Sequence, residues 1–142
     1  MFLNSRKAKR QRGISMVEVL VTVVIISFGL LGVAGLLATG LRNNQSSEWR
    51  TQASILAYDM AERMRANRQA ALDGLYATAT SAGGVPGTDK TDWAANLAAR
   101  LPSGSGTVAM TDVRYFTITI QWNDTKGAGG GASEQFVFRG EI

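Results

Sequence analysis

The chain has 142 residues, with 15 Lys and Arg against 11 Asp and Glu for a formal net charge of +4, and it contains neither cysteine nor histidine. Disulfide bracing and thiolate metal sites are thereby excluded, and the commonest general base and metal ligand is missing. Once any non-globular segment is set aside, the length leaves room for one small domain and not for two.

The positive charge is concentrated at one end. Arg6, Lys7, Lys9, Arg10 and Arg12 precede Gly13 with no acid among them. From Val19 to Leu41 there follow 23 residues without a charge. At 1.5 Å per residue such a helix is roughly 34 Å long, enough to cross a hydrocarbon core of about 30 Å. Its aliphatic and aromatic side chains favour insertion by about 4 to 8 kcal/mol before the small and polar residues subtract. Because basic residues stay cytoplasmic, the predicted orientation is N-in and C-out. A secretory signal would have a shorter apolar core followed by a small-residue cleavage site. Here Ala34, Gly35, Ala38 and Gly40 all lie inside the run, so the candidate processing point is the junction at Gly13 and Ile14.

One acid, Glu18, sits at the start of the run. A carboxylate in apolar surroundings is costly unless it meets a cation or takes up a proton. A cut after Gly13 would create an ammonium on Ile14 at the same depth, and the ammonium of one subunit could then pair with the Glu18 carboxylate of another. The alternative is an ordinary anchor whose Glu18 reaches back to the interface.

The stretch Arg12-Gly13-Ile14-Ser15-Met16-Val17-Glu18-Val19-Leu20 resembles the class III leader of type IV pilins and type II secretion pseudopilins, with Ile14 where Phe is usual. The resemblance implies that prepilin peptidase cuts between Gly13 and Ile14, that Ile14 becomes N-methylated, and that Glu18 serves subunit assembly. Two later stretches are similar to minor pilins of the type IV pilus. They are Ile26-Ser27-Phe28-Gly29-Leu30-Leu31-Gly32-Val33-Ala34-Gly35-Leu36 and Asp59-Met60-Ala61-Glu62-Arg63-Met64-Arg65-Ala66-Asn67-Arg68. The expected domains are a removed leader at 1–13, a transmembrane and assembly helix at 14–41, and a periplasmic head at 42–142. Major pilins commonly carry a disulfide, so the lack of cysteine favours a minor subunit. Loss of the five basic leader residues leaves ten against eleven acids, a mature net charge of about −1, and with it goes the case for a nucleic-acid partner.

Along the chain, Gly29, Gly32, Gly35 and Gly40 could let helices approach closely in lipid, although glycine is also simply frequent in membrane helices. Trp49, Ala53, Leu56, Met60 and Met64 then recur at helical spacing, predicting that the same helix continues to about Arg68 with this face on the head. The charges Asp59, Glu62, Arg63 and Arg65 are expected on its solvated side, as neighbour pairs. Residues 69–90 lose periodicity, and Ser81 to Thr88 is rich in turn formers. A short helix is expected next, capped by Thr91 or Asp92, with Trp93, Leu97 and Leu101 apolar and Pro102 as its stop. The period then changes to two, with a weak strand at Thr107 to Met110, a strong one at Arg114 to Trp122 and a last one at Glu134 to Gly140. Asn123 to Ser133, glycine-rich, reads as a flexible connection.

The expected fold class is α+β, a ladle with a long N-terminal helix packed on an antiparallel sheet of about three to four strands. No catalytic residue and no metal or other cofactor is assigned. The glycines at Gly127 to Gly131 lack a following Lys-Ser or Lys-Thr and open no helix. The carboxylates Asp89, Asp92, Asp112, Asp124, Glu134 and Glu141 read as solvated loop and strand-end charges, and Trp93 and Trp122 as core. The expected protein is therefore structural and not an enzyme. It would be an inner-membrane precursor that meets prepilin peptidase and the assembly platform, then joins other minor pilins, a tip adhesin and the major pilin to prime a pilus. A minor pseudopilin of type II secretion is the first alternative, and a membrane-tethered periplasmic enzyme or binding domain the second.

Overall fold

The computed structural model describes residue 13, residues 15–127 and residues 129–142. The chain divides into two compact units, Met1–Ala38 and Thr39–Ile142.

Helix α1 (Met16–Ala66) begins where Ser15 can cap it. The Ser15 hydroxyl accepts from Val17 N–H at 3.3 Å, and the Ser15 carbonyl accepts from Glu18 N–H at 3.0 Å. The helix has an acid, Glu18, in its first turn and Arg63 and Arg65 in its last, the charge order that suits a helix dipole. Within the first unit it carries large apolar side chains that all remain exposed, Leu36 by 75%. Burying each such side chain contributes about 1.5 to 3 kcal/mol. This surface therefore needs a lipid or protein environment that the unit itself does not supply.

The second unit is the head. Its α1 portion turns Ala53, Leu56, Ala57, Met60, Ala61 and Met64 inward, all of them buried. The expected face is thus the one used, and Trp49 packs partly against it. Asn67 interrupts the helix, and a short α2 (Arg68–Leu72) follows where no regular structure was expected.

Helix α3 (Gly84–Arg100) starts seven residues before the expected cap at Thr91. Pro86 lies in its first turn, where the missing N–H has no intrahelical acceptor to lose. The Thr88 and Thr91 hydroxyls are not caps but bond back to the Gly84 and Gly87 carbonyls. Trp93 and Leu97 are buried, and the helix ends before Pro102, as its pattern indicates.

Strands β1 (Ser105–Met110), β2 (Tyr115–Trp122) and β3 (Glu134–Glu141) form one antiparallel sheet in the order β1-β2-β3. Phe116, Ile118, Ile120 and Trp122 alternate into the core while Tyr115, Thr117, Thr119 and Gln121 face outward. Phe136 and Phe138 of β3 join the same core, where Phe138 meets the Tyr58 ring of α1 with centroids 4.8 Å apart. The architecture is α+β, a long N-terminal helix with an antiparallel sheet of three strands among the described residues.

Candidate functional site

The candidate assembly segment starts at Gly13, which is exposed and outside any helix, whereas Ile14 and the leader residues 1–12 lie outside the described residues. Glu18 stands in the first turn of α1 with Val17, Val19 and Leu20 exposed beside it. Its position also completes a Ser15-x-x-Glu18 spacing, the sequence form of a capping box. That spacing would allow Glu18 a local capping role, although here the Ser15 hydroxyl accepts from Val17 N–H and the Glu18 N–H goes to the Ser15 carbonyl. Two hydroxyls of the apolar segment are satisfied within the helix: Thr22 Oγ1 donates to the Glu18 carbonyl and Ser27 Oγ to the Val23 carbonyl, each at 2.7 Å. Such internal bonding suits a segment placed in hydrocarbon, where water is not available as a partner.

The acidic and basic residues of the head fall into two groups. Glu62 and Arg65 form the exposed neighbour pair that their spacing suggests. Arg63 does not belong with them. Its Nε bonds Asp59 at 3.0 Å and its Nη1 bonds Asp89 at 2.9 Å, tying α1 to α3. The other oxygen of Asp89 accepts from the hydroxyl of buried Tyr76 at 2.6 Å. The hydrogen bond that Arg63 donates to Asp89 raises the Arg63 pKa against the opposing effect of burial, with Asp59 adding to the rise. Tyr76 is also pushed up, first by burial and then by Asp89. Arg63 and Asp89 are therefore internal fasteners, and the reading of Asp89 as a solvated loop charge is corrected.

Asp124 corrects that reading a second time. It is fully buried, accepts from Ser46 Oγ through Oδ2, and has no partner at Oδ1. The loop wraps tightly around it. A Cβ on Gly127 would come within 2.3 Å of Oδ1, and one on Gly130 within 2.2 Å of the Asp124 carbonyl oxygen. Gly127 and Gly130, in the stretch expected to be a flexible connection, thus permit close packing on Asp124. The loop is held further by Gly131 N–H on Glu134 and by the Arg50–Glu134 ion pair at 2.9 Å.

Trp93 and Trp122 are both core residues, and Trp93 Nε1 donates to the Leu56 carbonyl at 2.9 Å. Among the described residues, no three Asp or Glu side chains gather to hold a metal ion. What sets the molecule apart chemically is the exposed apolar helix, long and apolar enough to cross a membrane, with one carboxylate at its start.

Residues 8–34 match the family model described as the prokaryotic N-terminal methylation motif. The matched stretch contains Gly13, Ile14 and Glu18 and covers about a fifth of the chain. It supports a type IV pilin-like or pseudopilin-like protein that is processed by prepilin peptidase, anchored in a membrane, and structural in kind. No curated protein and no solved structure matches the chain.

Proposed function

We propose that the chain is the precursor of a minor type IV pilin of the PilV kind, inserted N-in and C-out in the inner membrane with the head periplasmic. Prepilin peptidase removes residues 1–13 and Ile14 is N-methylated. The helix at 14–41 then passes from bilayer to fibre, and the head from residue 42 onward meets neighbouring minor pilins and a tip adhesin. In that position the subunit primes assembly of the major pilin on the inner-membrane platform and supports twitching and adhesion, with a place near the fibre tip.

The observation that carries this reading is the coincidence of the methylation motif with a helix whose first turn holds Glu18 and whose large apolar side chains up to Leu41 are exposed. Cleavage places a new ammonium four residues before that carboxylate. Opposite charges about 4 Å apart attract by about 4 kcal/mol at an effective dielectric of 20. An incoming subunit gains that energy by matching its ammonium to the Glu18 of a seated one, which selects a register along the rod.

The test separates charge from helix capping. Glu18→Gln retains a side chain able to complete a capping box, whereas Glu18→Ala does not. If pairing is the role, both variants are cleaved after Gly13 and both fall roughly tenfold or more in sheared pili, a loss of about 1.4 kcal/mol or more in assembly. Normal recovery of Glu18→Gln in pili would overturn the pairing. N-terminal sequencing of the mature chain checks the cut itself, and retention of Met1 in cells with active peptidase would overturn the processing. The motif fits a minor pseudopilin of type II secretion equally well. A deletion strain that twitches normally but fails to secrete would decide for that reading.

A further inference from the structure

The two edges of the head's sheet are finished differently. Ile142 N–H donates to the Arg114 carbonyl at 2.9 Å, and Thr111 N–H to the Tyr115 carbonyl at 2.8 Å. Bonded and non-bonded pairs alternate along an antiparallel ladder. In the β2–β3 register the bonded pairs are therefore Phe116 with Gly140, Ile118 with Phe138 and Ile120 with Phe136. The backbone groups of Gln135, Val137, Arg139 and Glu141 consequently point away from β2.

By the same alternation Val108 of β1 points away from β2, and both its groups are taken. Thr78 N–H donates to the Val108 carbonyl at 2.9 Å, while Val108 N–H donates to Thr78 Oγ1 at 2.7 Å. Lys90 holds the turn around Thr78 by donating to the Leu75, Ala77 and Thr80 carbonyls. The β1 edge is thereby occupied at its middle residue, Val108.

On β3 only the Glu141 carbonyl is engaged, by Arg65 Nε at 3.4 Å. Among the described residues the outward groups of Gln135, Val137 and Arg139 have no hydrogen-bond partner. The eight residues of β3 pair with β2 without a bulge and include neither proline nor lysine, devices that commonly protect an exposed edge. Each side of this edge presents distinct chemistry. Toward α1 lie Phe138 and the half-exposed ring of Tyr58. On the outer face, exposed Val137 is followed by Arg139, which borders an open groove of about 660 Å³ lined also by Tyr115, Thr117 and Glu141.

We infer that the outer edge of β3 accepts an extended segment of a different polypeptide, apolar at the alternate positions facing Tyr58 and Phe138 and acidic across from Arg139. Main-chain bonds supply the attraction in this mode of recognition, and the alternating side chains supply the choice. A second copy of β3 is a poor occupant. An antiparallel self-pairing that sets Arg139 against Glu141 overlaps only the end of the strand, and fuller registers set Arg139 against Gln135, Val137 or another Arg139. An acid in that place is the cross-strand partner a guanidinium favours. The inference rests on the head alone and is separable from the anchor and its processing.

The test uses the full chain in detergent and a synthetic eight-residue peptide that alternates valine with threonine and has one glutamate among the threonines. In the free protein the amides of Gln135, Val137 and Arg139 should exchange with solvent far faster than those of Phe136 and Phe138. Peptide should slow them about tenfold or more. Val137→Pro removes one outward N–H without removing a β2–β3 bond. It should abolish the effect while Phe138 stays protected, which verifies the fold. Arg139→Glu should weaken binding of this peptide and favour one with lysine in place of glutamate. The inference is overturned if millimolar peptide gives no slowing, or if Val137→Pro leaves the slowing unchanged. It is equally overturned if the outward amides of the free protein are already protected in a concentration-dependent way, as a second copy on the edge would produce.

Discussion

Ser46 on α1 donates its hydroxyl to the carboxylate of Asp124, 78 residues further along the chain, and that carboxylate is completely buried with one oxygen unpartnered. A buried charge met only by a hydroxyl is costly, so its neutral isostere should be tolerated. We expect Asp124→Asn to leave unfolding stability unchanged or raised, and Asp124→Ala to lose about 1 to 3 kcal/mol as the loop loses its anchor. The glycines give a sharper reading. The atoms nearest a Cβ on Gly127 are side-chain atoms of Asp124, whereas the nearest to one on Gly130 is its backbone oxygen. Each alanine substitution should cost about 1 to 3 kcal/mol, Gly130→Ala the more. Adding Asp124→Ala should recover most of the Gly127→Ala loss and little of the Gly130→Ala loss. Denaturant titration of the single and double variants measures these differences.

That loop also shows where sequence pattern stops being informative. The α1 face of Ala53, Leu56, Met60 and Met64 and the alternation of β2 were legible, because a helix or strand repeats its burial at a local period. The methylation motif at residues 8–34 was legible because it is contiguous. Asp124 was not, since a glycine-rich run with an acid reads the same whether the acid is solvated or enclosed. Its enclosure depends on Ser46, which no local spacing connects to it. The same holds for Arg63, paired at helical spacing with Asp59 but bound as well to Asp89 on another helix. The start of α3 was misplaced because Pro86 and its glycine neighbours are turn formers in isolation, yet acceptable in a first helical turn.

Tyr76 makes the stability of the head sensitive to alkaline pH. Burial and then the Asp89 carboxylate raise its pKa above the usual 10.0. The folded state therefore binds the phenolic proton more tightly than the unfolded state does. Its contribution is fully present below the unfolded value and is lost as pH rises through the folded one. Stability should accordingly fall above about pH 10. Tyr76→Phe should remove that part of the decline while lowering stability at neutral pH by about 1 to 2 kcal/mol, since Asp89 loses a donor. Urea titrations of both proteins followed by tryptophan fluorescence between neutral and alkaline pH test both statements.

Lys90 converges on three carbonyls, those of Leu75 at 3.0 Å, Ala77 at 3.1 Å and Thr80 at 2.6 Å. Its compact ammonium can point its donors along three directions, a geometry that the planar guanidinium of arginine lacks. Lys90→Met keeps the aliphatic stem and should cost about 1.5 to 3 kcal/mol, and Lys90→Arg should restore little of it. Because Thr78 sits in the turn that Lys90 holds, the Val108 amide should exchange faster in both variants, ahead of the amides at the centre of β2. Equal protection of Val108 in wild type and Lys90→Met would show that the turn stands without the lysine.

The last expectation concerns where the folding energy resides. The buried hydrophobic residues run from Ala53 to Ile142, and the large apolar side chains before Leu41 are exposed. The unit Thr39–Ile142 therefore contains the whole core, the sheet and each of the ion pairs that fasten it. A fragment beginning at Thr39 should remain in solution without detergent and unfold in one cooperative transition, as single domains of about this size do. Its stability should lie within about 1 kcal/mol of the head of the full chain, since the buried core residues Ala53 to Ile142 are all retained. Truncation to residue 53 is the informative contrast. It removes Ser46, Trp49 and Arg50, exposing Asp124 and freeing Glu134, and it should lower the midpoint of thermal unfolding or abolish the transition. Circular dichroism melts of the two fragments distinguish these outcomes, and a fragment from Thr39 that precipitates or melts without cooperativity would place part of the folding energy in the apolar segment.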